Sequence, residues 1–232
     1  MLWGPEAQMR LAQTHVIVFG LGGVGSYAAE CLARAGIGEL TLVDSDTVAL
    51  SNLNRQLEAL TSTVGLPKAE AVARRIADIN PNAVLHPLQE LYNAENRSRF
   101  FPEGCRYDYI VDAIDLVSCK LDLAETARRL KIPLMMALGT GNKLDPSQLR
   151  LADISETYGC PLARVMRKEL RNRGICRQPV VFSPEQPAPT TQRETPPPGR
   201  RSVPASNPWV PAVAGLLIGS KVVRDLIANK GV

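Results

Sequence analysis

The sequence has no cysteine pair at the C-x-x-C spacing, few aromatic residues and no long apolar run. Its five cysteines are scattered, so we expect no zinc site, no thioredoxin-type motif, and reduced thiols in a cytoplasmic protein. Aromatic residues make up 5% of the chain, which argues against a nucleic-acid binder built mainly on base stacking. No apolar run approaches the roughly 20 residues of a membrane span, so none is expected.

What is present indicates an ordinary soluble globular protein. Hydrophobic residues make up 45% and charged residues 22% of the 232 residues, enough for a substantial core. The balance of 27 Lys and Arg against 23 Asp and Glu gives a net charge of +4, which permits a polyanionic partner without requiring one. Near the N-terminus, Glu6, Gln8 and Arg10 interrupt any apolar segment, so no signal peptide is expected.

One βαβ unit with a glycine-rich first turn organises the chain. A buried strand is predicted at residues 15–19, a helix follows up to Ala35, and a second strand at residues 39–43 ends on Asp44. The turn between the first strand and the helix contains Gly20, Gly22, Gly23 and Gly25. Its spacing, G-x-G-x-x-G, lets the backbone approach a phosphate and presents helix N–H groups to it, while Asp44 is placed to accept hydrogen bonds from ribose hydroxyls.

The glycine turn alone indicates only a nucleotide, and it fits an NAD dehydrogenase as well as an ATP enzyme. A tight turn without any ligand is a further alternative. The residues after Asp44 favour ATP, because a polar block at residues 51–56 places an asparagine, an arginine and a glutamine just past the ribose acid. A dehydrogenase has no need for that group, whereas an enzyme that holds a triphosphate has.

Further strands and helices alternate along the chain. Strands are predicted at residues 83–88, 109–111, 133–138 and 149–152, and helices at residues 1–14, 67–80, 93–100, 118–130, 161–173 and 210–228. This order predicts an α/β fold, with a Rossmann-like, doubly wound, mostly parallel sheet in a single domain that carries a C-terminal extension. We expect residues 1–182 to form an ATP-binding domain, which the family resemblance described below implies to be an adenylation domain, and residues 209–232 a helix that packs back on it.

Between those parts, residues 183–208 break the composition. Eight of the 18 prolines of the chain fall in this segment, which predicts a mobile loop that cannot bury a core. Its arginines Arg193, Arg200 and Arg201 are secondary candidates for contact with nucleic acid.

Three charged residues next to predicted strand and helix ends are candidates for chemistry. Asp112 and Asp115 follow the strand at residues 109–111, where ligands of doubly wound sheets bind, although capping of the next helix is an alternative for Asp115. Lys68 opens a helix, where the helix dipole disfavours a cation unless an anion such as phosphate is bound; a tolerated surface lysine is the alternative.

The helix at residues 161–173 carries a basic stripe. An apolar face of Leu162, Val165, Met166 and Leu170 is predicted to pack on the core. The stripe lies opposite and consists of Arg164, Arg167, Lys168 and Arg171, with Arg173 and Arg177 beyond it. A solvated face is the ordinary meaning of such a stripe, and contact with nucleic-acid phosphates is the alternative.

These motifs together resemble the E1-like (ThiF/MoeB/HesA) superfamily of adenylating enzymes. The resemblance rests on the glycine turn, the block at residues 44–56, the V-G-x-P-K sequence at residues 64–68 and the D-x-x-D sequence at residues 112–115. It implies ATP and Mg²⁺ as cofactors, with Asp115 as the catalytic residue near magnesium. The implied ATP contacts are ribose for Asp44, phosphates for Asn52, Arg55 and Lys68, and loop support for Asp46 and Gln56. Arg10 does not match the upstream arginine that relatives extend to a partner subunit.

Within the superfamily, the segments at residues 139–146, 149–175 and 208–227 resemble the TcdA (CsdL/YgdL) group of tRNA threonylcarbamoyladenosine dehydratases. That resemblance implies ATP-dependent dehydration of the modified adenosine in tRNA, through a carboxyl-adenylate and ring closure that needs no cysteine nucleophile. It also implies a homodimer and a possible link to a cysteine-desulfurase system.

Three other functions remain open at this stage. A MoeB- or ThiF-like enzyme would adenylate the C-terminus of a ubiquitin-like sulfur-carrier protein, but would carry two cysteine pairs for zinc. A dehydrogenase would bind NADH. A non-catalytic relative would have lost Arg55, Lys68 or Asp115, all of which are present. Cys160 and Cys176 are expected to be structural.

The two histidines of the chain receive no function from the sequence. His15 and His86 are far apart along the chain and are expected to stand alone, with no triad around them.

Overall fold

The computed structural model describes residues 2–189 and 205–228. Its seven strands are β1 (His15–Phe19), β2 (Glu39–Val43), β3 (Val84–Leu88), β4 (Tyr109–Asp112), β5 (Leu134–Ala137), β6 (Arg150–Asp153) and β7 (Pro179–Phe182). They form one sheet in the order β3-β2-β1-β4-β5-β7-β6, parallel except for the β6–β7 pair. The predicted doubly wound, mostly parallel sheet is therefore confirmed.

The helices are α1 (Gly4–Ala12), α2 (Gly25–Ala35), α3 (Lys68–Ile79), α4 (Arg97–Phe100), α5 (Val117–Leu130), α6 (Pro161–Asn172) and α7 (Val210–Ala228). They cover both faces of the sheet. Because side chains alternate along a strand, the strands feed two separate cores. Val16 and Val18 of β1 pack with α2, α3 and α7 on one face, and Ile17 and Phe19 pack with α4, α5 and α6 on the other. None of the helices described is long and apolar enough to cross a membrane.

Two elements differ from the sequence prediction. Strand β7 was not predicted, because it has only four residues and begins with Pro179; it lies between β5 and β6 and pairs with both. The predicted helix at residues 93–100 is reduced to the four residues of α4. Its first part forms a turn in which the Asn93 side chain accepts hydrogen bonds from the N–H groups of Glu95 and Asn96, at 2.9 and 3.0 Å.

Helix α7 packs closely against α2. A Cβ at Gly215 would lie 2.4 Å from the carbonyl oxygen of Val24, and one at Gly219 would lie 2.6 Å from Sγ of Cys31. Only glycine at these positions lets the two helices approach this closely. Since α2 begins in the glycine turn, α7 supports that turn from behind. The division of the chain at residues 182 and 208 stays a prediction.

The ends of the proline-rich segment are held by one turn. Asn142 accepts hydrogen bonds from the N–H groups of Ala188 and Ala205, at 2.8 and 2.7 Å, and it donates its own N–H to the carbonyl oxygen of Ala205 at 2.8 Å. The ammonium of the buried Lys143 donates to the carbonyl oxygen of Glu185. Residues 190–204, which include Arg193, Arg200 and Arg201, lie outside the described residues.

Candidate nucleotide-binding site

The glycine turn lies at the carboxyl edge of the sheet, next to the chain that leaves β4. Gly20 has φ of +82°, and a Cβ there would lie 2.7 Å from the carbonyl oxygen of Ala113. A Cβ at Gly25 would lie 1.7 Å from the carbonyl oxygen of Gly20. Glycine is therefore required at the first and last positions of the motif, where the turn closes on itself and on β4. The predicted placement of the glycine turn at the carboxyl ends of the strands is confirmed.

Asp44 joins the end of β2 to the glycine turn. Its Oδ2 accepts a hydrogen bond from the N–H of Leu21 at 2.7 Å, and its Oδ1 accepts one from the N–H of Asp46 at 2.8 Å. Burial raises the pKa of this carboxyl, and the two N–H groups and Lys68 oppose the shift. Each carboxylate oxygen can accept a second hydrogen bond. Asp44 can therefore hold the turn and still accept hydrogen bonds from a bound ligand.

Lys68 is buried at the start of α3 and pairs with Asp46. Its Nζ lies 3.0 Å from Oδ2 of Asp46, and the lysine side chain is 7% exposed while the aspartate side chain is 67% exposed. A carboxylate therefore offsets the unfavourable position of this cation at a helix N-terminus. The charge of this ammonium also opposes the rise in the pKa of Asp44, whose Oδ2 holds the glycine turn.

The polar block after Asp46 folds over the glycine turn. Oδ1 of the buried Asn52 accepts from the N–H of Ala49 at 3.0 Å, which holds the block in a tight turn. The Arg55 stem lies against Gly23, with its Cγ 3.5 Å from where a Cβ would stand. Nε2 of Gln56 lies 3.5 Å from where a Cβ would stand on Gly22. The structure thus brings two of the predicted contact residues, Arg55 and Gln56, to the glycine turn.

Arg55 is positioned by a chain of hydrogen bonds that reaches α7. Its Nη1 donates to the carbonyl oxygen of Ser51 at 2.9 Å and to Oδ1 of Asn54 at 2.8 Å. Asn54 in turn donates to the carbonyl oxygen of Ser206 at 3.1 Å, just before α7. Sequence reasoning missed this connection, because residues 54 and 206 meet only through the fold.

Asp115 and Asp112 have different environments, although both follow β4. Asp112 is fully buried and lies 2.9 Å from Nζ of Lys120, which is also fully buried and donates to the carbonyl oxygen of Ile114 at 3.1 Å. Oδ1 of Asp112 accepts from the N–H of Ile114 at 3.0 Å. Asp115 is exposed, and α5 has Leu116 rather than Asp115 as its N-cap. The inner acid therefore shapes the loop that presents the outer one to the site.

Glu58 is a residue of this region that sequence reasoning missed. The residue is 2% exposed, and neither carboxylate oxygen has a hydrogen-bond partner among the described residues. Burial raises the pKa of this carboxyl to about 7, although the positive charge of Lys68 opposes the rise. Ser26 donates to the carbonyl oxygen of Gly22 at 2.7 Å. A buried glutamate is uncommon enough to be a signal, but the sequence does not show which glutamate is buried.

Glu58 should make the stability of the ATP-free protein fall as pH rises. A carboxyl whose pKa is raised in the folded state stabilises that state fully below its unfolded pKa near 4.5, and loses this contribution as pH passes about 7. In wild type we expect Glu58 to lower the free energy of unfolding by about 2–3 kcal/mol between pH 5 and pH 8. In Glu58→Gln this part of the decrease should be absent, and urea unfolding at the two pH values measures the difference. The exposed Glu103→Gln serves as the control. Equal pH dependence in wild type and Glu58→Gln would contradict the prediction.

The basic stripe of α6 is smaller than the sequence predicted. Arg167 is half-buried, and its Nη1 donates to the carbonyl oxygen and the hydroxyl of Thr157, both at 2.6 Å. Arg164, Lys168 and Arg171 are exposed on one ridge, at spacings of four and three residues. The prediction that Val165 belongs to the core face is wrong: its side chain is 45% exposed, because Ala163 takes the inward position with Met166 and Leu170.

Two of the cysteines flank α6. Cys160 is buried and caps the start of the helix, with its Sγ accepting from the N–H of Ala163 at 3.5 Å, which favours the predicted structural role. Cys176 is exposed after the helix, and its role stays a prediction.

Comparison with known proteins agrees with this geometry. A tRNA threonylcarbamoyladenosine dehydratase from Bacillus subtilis is 42% identical over 97% of this chain and 92% of its own length. A Haemophilus influenzae protein of the same name is also 42% identical, over 73% of this chain but only 64% of its own length. Crystal structures of E. coli TcdA in complex with AMP and with ATP each match with a TM-score of 0.87 at 36% identity. Those matches cover 98% and 99% of this chain and 92% and 93% of theirs.

A family model covers the described fold almost end to end. The model of the ThiF family matches residues 1–229. Its match includes the glycine turn, the polar block and the loop after β4. This chain therefore belongs to the ThiF family.

Proposed function

We propose that this protein catalyses the ATP-dependent dehydration of N6-threonylcarbamoyladenosine in tRNA. The observation that carries the proposal is the contact of Asp44 and Arg55 with one glycine turn, with Lys68 paired to Asp46 two residues after Asp44 and Asp115 on the loop that packs against Gly20. The similarity to dehydratases along almost the whole chain supports it, including the parts outside the glycine turn. A MoeB-like enzyme for a carrier protein is disfavoured, because the sequence lacks that group's paired cysteines.

The nucleotide would lie across the glycine turn with its parts held by different elements. Asp44 would accept from the ribose hydroxyls at the end of β2. Arg55 and Lys68 would neutralise phosphate oxygens from two sides, and the N–H groups at the start of α2 would bind an anion directly. Asn52 and Gln56 would hold the block in place, since one closes its turn and the other lies against Gly22.

Asp115 fits a magnesium ion. Mg²⁺ prefers oxygen ligands and commonly binds through one or two carboxylates together with phosphates. Asp115 offers an exposed carboxylate on the loop that packs against Gly20, and Asp46 offers another beside Lys68. When bound, the ion would supply positive charge to the triphosphate.

The reaction then needs mainly positioning and charge neutralisation. The substrate's carboxylate attacks the α-phosphorus of ATP, which forms an acyl-adenylate and releases pyrophosphate. The neighbouring carbamoyl group attacks the acyl carbon and expels AMP, which closes a ring with net loss of one water. Arg55 and Lys68 stabilise the charge that develops on the phosphates in the first step.

Mass spectrometry of the modified nucleoside tests the proposal. Purified protein, ATP, Mg²⁺ and tRNA carrying threonylcarbamoyladenosine should give the product lighter by one water, together with AMP and pyrophosphate. Omission of ATP is the control. Formation of AMP only with a ubiquitin-like carrier protein, and no change in the tRNA, would overturn it.

Arg55→Ala should weaken ATP binding by about 1–3 kcal/mol, the range of a lost hydrogen bond to a charged group. Isothermal titration with ATP and Mg²⁺ measures the difference. Arg74→Ala, an exposed arginine on α3, is the matched control and should bind ATP normally. Unchanged affinity in Arg55→Ala would remove Arg55 from the phosphate site.

We further propose that the protein acts in the cytoplasm as a homodimer. Exposed apolar side chains around the polar block support a second copy docking there: Leu50 is 70% exposed and Leu60 is 51% exposed. Sedimentation at micromolar concentrations tests the dimer. Sulfur transfer from a cysteine-desulfurase system stays a prediction.

A further inference from the structure

Both histidines of the chain meet at the amino edge of the sheet, away from the strand ends that form the nucleotide site. His15 opens β1 and pairs in register with Glu39, which opens β2. His86 of β3 pairs in register with Thr41 of β2. Because Glu39 and Thr41 are two residues apart, all four side chains lie on the same face. The prediction that the histidines stand alone is therefore wrong.

Three potential ligand atoms converge there. Nε2 of His86 lies 2.8 Å from Oε1 of Glu39, and Nδ1 of His15 lies 3.4 Å from the same oxygen. The ligand atoms of the three residues all lie within 4.8 Å of one another. Within residues 2–189 and 205–228, no other group of three or more His, Cys, Asp or Glu meets that criterion.

A contact with Thr41 holds the His15 ring in an orientation suitable for binding a metal ion. Nε2 of His15 lies 2.8 Å from Oγ1 of Thr41, which is buried. If the Nε2–H donates to this hydroxyl, Nδ1 keeps its lone pair and points it at Glu39. Metal-binding histidines commonly use their second nitrogen in this way. The Tyr107 ring packs edge-on against His15, with 4.6 Å between centroids, and restricts it further.

We propose that His15 Nδ1, His86 Nε2 and a Glu39 oxygen bind a divalent transition-metal ion of the Zn²⁺ class. Two imidazoles and one carboxylate suit zinc and its neighbours, whereas Mg²⁺ prefers oxygen ligands alone. The side chains of Glu39 and His86 are 39% and 44% exposed, so solvent can reach the ion and supply a further ligand.

The ion would connect three neighbouring strands, including β3 at the side of the sheet. Strand β3 is the edge strand, and its first residue, Val84, is 53% exposed. A site with one ligand on each of β1, β2 and β3 would hold this edge in place. The missing cysteine pairs led to the expectation of no zinc site, but they bear only on sites of the paired-cysteine kind. This proposal does not depend on the nucleotide site, which lies at the carboxyl ends of the strands.

Zinc titration of the untagged protein in ATP-free buffer is the first test, because a histidine tag or ATP would compete for the ion. The background carries Cys176→Ser, which removes an exposed thiol. At a Zn²⁺ concentration about 100-fold above Kd we expect Tm to rise by roughly 5–10 °C. His86→Ala and Glu39→Gln should each weaken zinc binding by at least about tenfold. The exposed Glu103→Gln is the matched control, and Mg²⁺ should give no shift.

Nitrogen NMR of the imidazole rings is the second test, and it stays informative if a variant folds poorly. The chain has only two histidines, so each ring can be assigned. Zinc should shift Nδ1 of His15 and Nε2 of His86 and leave the two other ring nitrogens protonated. Ring signals that do not respond to zinc, or a Tm rise that is the same in wild type, His86→Ala and Glu39→Gln, would overturn the proposal.

Discussion

Asp115→Asn is expected to lower the turnover number by about 10²–10³-fold while the fold is kept. The amide is nearly the same size but is neutral and a poorer magnesium ligand, so charge on the triphosphate would be less well offset in the transition state. The fold should survive because Asp115 is exposed, and the loop is shaped instead by the buried Asp112 and Lys120. Mass spectrometry at saturating ATP and tRNA measures the turnover, and thermal unfolding checks the fold.

The control for this experiment is Asp78→Asn. Asp78 is exposed near the far end of α3 and should give wild-type turnover. Pyrophosphate release, measured separately, shows whether the adenylation step is the one that slows. A folded Asp115→Asn variant that keeps turnover within about threefold of wild type would remove this carboxylate from the mechanism, since an effect of that size is below 1 kcal/mol.

Replacement of Arg164, Lys168 and Arg171 by glutamine should weaken tRNA binding by about 10²-fold at moderate salt. A free nucleoside offers few contacts, so an enzyme acting on tRNA gains affinity from phosphates. The three side chains are exposed on one ridge of α6, and none of them forms an ion pair within the described residues. The plot of the logarithm of the tRNA binding constant against the logarithm of salt concentration should become less steep, with the magnitude of its slope smaller by about 2–3. That is the change expected for three lost phosphate contacts.

Arg167 is left unchanged in this variant, because its contact with Thr157 would confuse a binding effect with a folding effect. The matched control replaces three exposed arginines elsewhere with glutamine and so removes the same charge. They are Arg74, Arg129 and Arg224. ATP affinity should stay the same in both variants. If the two bind tRNA equally well, the ridge is an ordinary solvated face, and Arg193, Arg200 and Arg201 become the next candidates.

The order of strands and helices could be predicted from the sequence because its causes are local. The strand at residues 15–19 and the helix ending at Ala35 match the structure, since a short apolar run and a glycine turn fix both elements within a few residues. The prediction failed where a side-chain hydrogen bond or a neighbouring strand determined the local secondary structure. Asn93 replaced the first part of a helix with a turn, and β7 is a strand because β5 and β6 lie on either side of it.

The sequence by itself determined the kind of site: a glycine turn, an acid at the end of the next strand, and cationic side chains for phosphates. Only the tertiary structure decided which charged residues have buried partners, because that depends on neighbours distant in sequence. It separated the buried Asp112 from the exposed Asp115, buried Glu58, and joined Asn54 to Ser206. It also brought the two histidines to one carboxylate, because parallel strands in register set side chains from distant residues next to one another.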